Sequence, residues 1–146
     1  MATLRWCRRQ KRGIELIEPN ENICQAYLKD ADESILTLGK NAGKWQVVMA
    51  YYASYNALYA VAAKAGIKSE IHDCTLALMP LLGFTVEEVA FLQKLKKDRI
   101  DAQYYLKPAS LPDSLAVKRF VVRCKNLVQQ FHPDQVQRIR DLVKNA

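Results

Sequence analysis

The chain has 146 residues and a formal net charge of +7; half of its residues are hydrophobic and a quarter are charged. Length and composition favour one globular domain, residues 1–146, with a sizeable hydrophobic core. No apolar run is long enough to span a bilayer, and no signal peptide is recognisable. These features exclude a membrane partner and predict a cytoplasmic protein.

Four cysteines are spread along the chain without a close pair: Cys7, Cys24, Cys74 and Cys124. Zinc sites need local ligand pairs such as C-x-x-C, so we predict no metal site, and no motif indicates a cofactor. Each cysteine lies in a helical pattern and is interpreted as a small buried hydrophobe. We therefore expect all four thiols to be reduced.

Apolar spacing predicts helices from the N-terminus onward, with no strand-like alternation. A first, basic helix covers residues 3–17 and is stopped by Pro19. Asn20 or Asn22 can cap the second helix, which runs to about Leu38.

The third helix runs from Lys44 to about Ala65 and closes on Gly66, a residue suited to the C-cap. A shorter helix over residues 71–82 is expected to be interrupted near Pro80, because proline removes a backbone donor. The next helix begins after Thr85 and runs to about residue 105.

A proline-containing linker at 108–112 separates this helix from a long amphipathic helix that ends near Phe131. A last helix covers residues 133–145, with Pro133 at its first position. Helices joined by short loops predict antiparallel neighbours. The expected fold is all-α, an up-and-down four-helix bundle with a core at about 18–131 and short additional helices at both termini.

The excess of positive charge lies at the N-terminus, where residues 1–13 contain no acid. Its basic residues are Arg5, Arg8, Arg9, Lys11 and Arg12. Such a cluster can bind a polyanion. It can equally be the solvated face of a terminal helix, and the sequence leaves both interpretations open.

Tyrosines line the third helix, which is apolar on most of its circumference. Tyr51 and Tyr55 share one face, and Tyr52 and Tyr59 share an adjacent one. An apolar circumference indicates burial on more than one side. Either the hydroxyls find partners at the rim of the core, or one face meets a second subunit.

Two other residues are candidates for chemistry. Arg99 falls on the apolar line of its helix, where a charge needs a carboxylate, phosphate or aromatic partner. A buried salt bridge or a bond to a tyrosine would satisfy it, and so would a phosphate, which guanidinium binds through two oxygens. His72 stands beside Asp73 at the start of a helix, where it can be structural or act as a general base.

Several segments, in this order and spacing, resemble the HEPN domain family (higher eukaryotes and prokaryotes nucleotide-binding), in particular its small stand-alone prokaryotic members. They are EPN at 18–20 with AYLK at 26–29, AYYASYNALY at 50–59, GIKSEIHDC at 66–74 and KDRIDAQYY at 97–105. The resemblance implies a four-helix bundle that forms a two-fold dimer. It also implies pairing with a minimal nucleotidyltransferase, often as toxin and antitoxin.

Many HEPN proteins are metal-independent ribonucleases that use an arginine, a polar residue, a short spacer and a histidine. Arg99 matches the arginine, but Ile100 replaces the polar residue and Tyr104 stands where the histidine would fall. Tyrosine, with a pKa of about 10, is a poor base near neutral pH. In a regular helix Tyr104 also lies about 140° around from Arg99.

The sequence therefore favours a non-catalytic homodimer that binds a nucleotide, RNA or a nucleotidyltransferase. Its predicted ligand-binding residues are Arg99, Tyr104, Tyr52, Tyr55 and Tyr59. The alternative is a ribonuclease that uses Arg99 with Tyr104 or His72, although no spacing argument places His72 near Arg99.

Overall fold

Helices dominate residues 2–108 and 111–146, the part of the chain that the computed structural model describes. In chain order the elements are α1 (Leu4–Arg9), β1 (Ile14–Leu16), α2 (Glu21–Leu38), α3 (Lys44–Lys64), β2 (Ile67–Ser69), α4 (His72–Leu82), α5 (Val86–Gln103), α6 (Ser114–Gln130) and α7 (Pro133–Lys144). None of these helices combines the length and apolarity needed to cross a bilayer. The prediction of a mainly helical fold is confirmed.

Helix α3 lies at the centre of the fold and packs against α2, α4, α5 and α6. Its buried side chains include Tyr51, Leu58 and Val61 together with a series of alanines, and they occupy most of its circumference. Small alanine side chains allow neighbouring helices to approach closely from several directions. The predicted burial of this helix on more than one side is thereby confirmed.

Helix ends follow local signals in the sequence. The Asn20 side chain accepts a hydrogen bond of 2.9 Å from the Ile23 amide, and Thr85 and Glu88 form a reciprocal capping box. Gly66 follows α3 with φ of +72°, and a Cβ there would lie 2.5 Å from the backbone oxygen of Ile17. Only glycine fits this position, as expected of a residue just past a helix end.

The predicted helix over residues 3–17 is wrong beyond Arg9. The backbone turns at Arg12, whose φ is +65°, and β1 then pairs antiparallel with β2. Gly13 is buried so tightly that a Cβ would lie 1.9 Å from the Cys7 carbonyl oxygen, which leaves no room for a side chain. The all-α prediction is corrected by this two-stranded sheet.

Two of the four cysteines form a disulfide, which overturns the prediction that all are free. Cys7 in α1 is bonded to Cys74 in α4, 67 residues further along the chain. Cys24 and Cys124 are free and buried, as predicted. The prediction of reduced thiols, which accompanied that of a cytoplasmic location, is therefore wrong for Cys7 and Cys74.

The prediction of an interruption near Pro80 is also wrong, since α4 continues through it to Leu82. Pro80 lies in the last turn and is exposed, so its missing amide removes a single hydrogen bond at the helix end. Gly83, with φ of +101°, terminates the helix. Of the predicted linker at 108–112, Ala109 and Ser110 lie outside the described residues.

Candidate functional site

Arg99 is buried in α5 against a set of tyrosine rings. The residue is 8% exposed, and its guanidinium carbon lies 4.9 Å from the centre of the Tyr51 ring and 5.6 Å from that of Tyr52. The Tyr104 ring is 5.8 Å away. A guanidinium at these distances is attracted by the negative face of each ring. The predicted partners Tyr52 and Tyr104 are both in contact with the arginine.

Tyr104 lies at the C-terminal end of α5, with its ring centre 5.8 Å from the Arg99 guanidinium carbon. Helix α5 stops at Gln103, and Tyr104 is its C-cap residue. A continuing helix would carry the Tyr104 side chain about 140° away from Arg99. Tyr104 keeps αR dihedral angles and its amide still bonds to the Ile100 carbonyl, so the end of the helix does not by itself account for the contact.

The charge of Arg99 is not neutralised by an acid within residues 2–108 and 111–146. Its Nη1 donates a 3.2 Å hydrogen bond to Oε1 of Gln103, one turn further along α5. Its Nε is buried and has no acceptor among the described residues. A buried guanidinium with an unused donor has unmet hydrogen-bonding capacity, which an anionic oxygen would satisfy.

His72 contacts Tyr51, the tyrosine whose ring also packs against Arg99. The Tyr51 hydroxyl and His72 Nδ1 are 2.6 Å apart, and the two ring centres are 5.8 Å apart. Tyr51 thus contacts both Arg99 and His72, which brings the two candidate residues to a single ring. Sequence spacing did not predict this, because His72 belongs to α4 and Arg99 to α5.

The hydrogen bond to Tyr51 determines the state of the imidazole. Burial is the main cause that raises the pKa of Tyr51, so its phenol stays protonated at neutral pH. In the described part of the chain, the phenol proton has no acceptor other than His72 Nδ1. The phenol therefore donates to Nδ1, and neutral His72 carries its proton on Nε2. Burial first, and then the charges of Arg99 and Lys96, lower the pKa of His72. At neutral pH the imidazole is therefore uncharged, with Nε2–H available as a donor and its basic nitrogen, Nδ1, engaged by the Tyr51 hydroxyl.

The remaining predicted tyrosines continue the aromatic cluster away from Arg99. Tyr55 stacks on His72 with ring centres 4.1 Å apart, and its hydroxyl pairs with Thr75 Oγ1 at 3.0 Å. The Tyr59 hydroxyl accepts a hydrogen bond of 3.3 Å from the Ser69 amide. These tyrosines contact His72 and the sheet, and neither contacts Arg99.

The N-terminal basic cluster divides into two parts. Arg5, Arg8 and Arg9 are exposed on α1, whereas Lys11 and Arg12 line a pocket that also includes His72. The turn after α1 produces this separation, which a helix over residues 3–17 would not have.

Several residues in this region were not identified from the sequence as candidates for a site. Gln103 contacts the guanidinium, Tyr27 packs against Tyr59 with ring centres 4.6 Å apart, and Lys68 joins the same pocket. The spacing of Gln103, four residues after Arg99 on one helix face, could have indicated its contact. Tyr27 and Lys68 belong to α2 and β2, so no local signal relates them to the tyrosines of α3.

Comparisons with protein-family models, curated proteins and solved structures find no match to this chain. The resemblance to the HEPN family therefore rests on the segments of the sequence alone.

Proposed function

We propose that this chain is a HEPN-like module that binds a phosphate group of a nucleotide or RNA at Arg99. The observation that carries the proposal is the buried guanidinium with a donor nitrogen that lacks an acceptor. A phosphate would supply both the negative charge and the oxygen that this site lacks. In this proposal α2, α3, α5 and α6 form the four-helix bundle of the family.

His72 and the tyrosines have supporting roles in the proposed site. With its proton on Nε2, His72 would donate a second hydrogen bond to a phosphate oxygen near Arg99. Tyr51 holds the imidazole through the 2.6 Å contact to Nδ1, and Tyr52 flanks the guanidinium. Rings beside an arginine also offer faces on which a base can stack.

Replacing Arg99 by alanine tests the proposed contact. We expect the affinity for a short RNA to fall roughly 10- to 150-fold, the value of one charge-assisted hydrogen bond. Arg119→Ala is the matched control, because Arg119 is exposed on α6. Isothermal titration at fixed ionic strength gives the affinities, and equal losses in the two variants would contradict the proposal.

Ribonuclease activity is a second candidate, favoured by the placement of Arg99 and His72 on one tyrosine ring. His72 would then have to accept the 2′-hydroxyl proton, which its Nε2–H form does not allow. We therefore expect no cleavage of structured or unstructured RNA in EDTA. Cleavage by the parent chain that is lost in both Arg99→Ala and His72→Ala would favour the enzyme over the binding module.

A homodimer is part of the same proposal. Three large side chains at the end of α5 are exposed beside the Arg99 cluster: Tyr104 (66%), Tyr105 (67%) and Leu106 (74%). Adjacent exposed apolar side chains are typical of an interaction site. We propose that a second copy covers them, and that a minimal nucleotidyltransferase is the heterologous partner, as in toxin–antitoxin pairs of the family.

Light scattering tests the dimer directly. We expect the mass of two chains at micromolar concentration, and a shift toward the monomer in Tyr105→Ser/Leu106→Ser, which removes apolar area from the proposed contact. Leu36→Ser is the control, since Leu36 is equally exposed at 67% but lies on α2. A parent chain that stays monomeric without a partner would exclude this part of the proposal.

A further inference from the structure

An open pocket of about 590 Å³ lies between the N-terminal segment, α3 and the start of α4. We call it the arm pocket, because Lys11 and Arg12 of the N-terminal arm (residues 10–16) form one side of it. Its aromatic residues are Tyr27, Tyr55, Tyr59 and His72, and its cations are Lys11, Arg12 and Lys68. Arg99 is not among the lining residues, although His72, Tyr55 and Tyr59 of the site described above are.

The charges of the arm pocket favour an anion. Glu70 is the carboxylate in its lining, and it is shared by Arg12 at 3.6 Å and Lys68 at 3.7 Å. Three cations against one carboxylate leave an excess of two positive charges when His72 is neutral. A phosphate monoester carries about −1.5 to −2 at pH 7, which matches this excess better than a phosphodiester does.

The backbone that carries the cations of the N-terminal arm is held in place. The Cys7–Cys74 disulfide ties α1 to α4, and β1 pairs with β2 directly after Gly13. The amide of Glu70 donates a 3.0 Å hydrogen bond to the Arg12 carbonyl. Arg12 itself has a φ of +65°, a strained conformation for a residue other than glycine. Such preorganisation lowers the entropy lost when a ligand binds.

The aromatic side of the arm pocket is continuous. Tyr27 and Tyr59 have ring centres 4.6 Å apart, Tyr59 and Tyr55 6.2 Å, and Tyr55 and His72 4.1 Å. Tyr27 and Tyr59 are partly exposed, so their rings are accessible from the pocket. Planar heterocycles bind to surfaces of this kind by stacking, with little dependence on their identity.

We propose that the arm pocket binds a nucleoside monophosphate. Its phosphate lies among Lys11, Arg12 and Lys68, and its base packs against the tyrosine rings. The phosphate contact in the arm pocket is distinct from the one proposed for Arg99, although His72 borders both sites.

Titration calorimetry with AMP, adenosine and inorganic phosphate, on the disulfide-bonded full chain at fixed ionic strength, tests the proposal. We expect AMP to bind more tightly than either fragment. Lys68→Ala and Arg12→Gly should each weaken AMP binding roughly tenfold, the loss of one charge-assisted hydrogen bond. Glycine is chosen at Arg12 because it accommodates the positive φ. Glu70→Gln should tighten binding, because it removes the competing carboxylate.

Matched controls separate the arm pocket from general charge effects. Arg8→Ala and Arg9→Ala remove cations of the same basic cluster on α1, outside the pocket, and should leave AMP affinity within a factor of about two. Arg99→Ala should also retain AMP binding, so that failure of the Arg99 proposal can be told apart from failure of the arm-pocket proposal. The proposal is overturned if adenosine or phosphate alone binds as tightly as AMP, or if the α1 and pocket variants lose affinity equally.

Discussion

Replacement of both Cys7 and Cys74 by alanine is expected to lower the free energy of unfolding by about 4 kcal/mol, by the chain-entropy estimate for a loop of this length. The disulfide closes a loop of 67 residues and therefore restricts the unfolded chain strongly. It also joins α1 to α4, and both cysteines are fully buried. Denaturant unfolding of the two proteins, with the slope m compared to check the unfolded state, gives the difference.

Reduction provides the matched control for this prediction. A phosphine reductant should destabilise the parent chain by a similar amount and leave the Cys7→Ala/Cys74→Ala protein unchanged. Thiol titration of the denatured parent should count two thiols, from Cys24 and Cys124, before reduction and four afterwards. Four thiols in the unreduced chain, or a reductant without effect on its unfolding midpoint, would refute the prediction.

The elements that the sequence predicted well are those set by local signals. Helix α2 begins after Asn20, α5 begins after Thr85 with its capping box, and α7 begins at Pro133. Each depends on residues within about one turn of the helix end, together with apolar spacing along the helix. Such signals are present in the sequence whatever the tertiary structure is.

The small sheet could not be predicted in this way. Its strands have three residues each, too few for an alternating pattern, and Ile14 pairs with Ser69 across more than 50 intervening residues. Ile14 and Ile17 fit a helical spacing equally well. The turn at Arg12 that separates β1 from α1 depends on a positive φ in a residue that gives no such signal.

The candidate site was predicted only in part, because some of its contacts, like those of the sheet, join residues far apart in the sequence. Arg99 is identifiable because its charge interrupts an apolar line within one helix. Its proximity to His72 depends on Tyr51, which joins side chains from α4 and α5. Contacts between three helices have no counterpart in local spacing, and the same is true of the Cys7–Cys74 pair. The chemistry of each residue was therefore readable from the sequence, whereas its partners were not.

Arg140→Ala is expected to lower the free energy of unfolding by about 3 kcal/mol, because hydrogen bonds from a charged donor are worth about 1.5–3 kcal/mol and several are lost together. Arg140 Nη1 in α7 lies 2.7 Å from the Ile17 oxygen, 3.2 Å from that of Ala65 and 2.8 Å from that of Gly66. Two of these carbonyls follow the end of α3, where the helix dipole favours a positive charge. One side chain thus joins α7, the central helix and the end of β1.

The control for this variant is on the same helix. Arg138 is exposed, so Arg138→Ala removes the same charge from α7 without removing the backbone contacts, and its effect should stay within about 0.5 kcal/mol. Arg140→Lys keeps the charge but loses the planar donor group, and we expect it to recover less than half of the loss. Denaturant unfolding measures all three variants. Equal losses for the alanine variants at positions 138 and 140 would attribute the effect to charge rather than to the carbonyls that Arg140 holds.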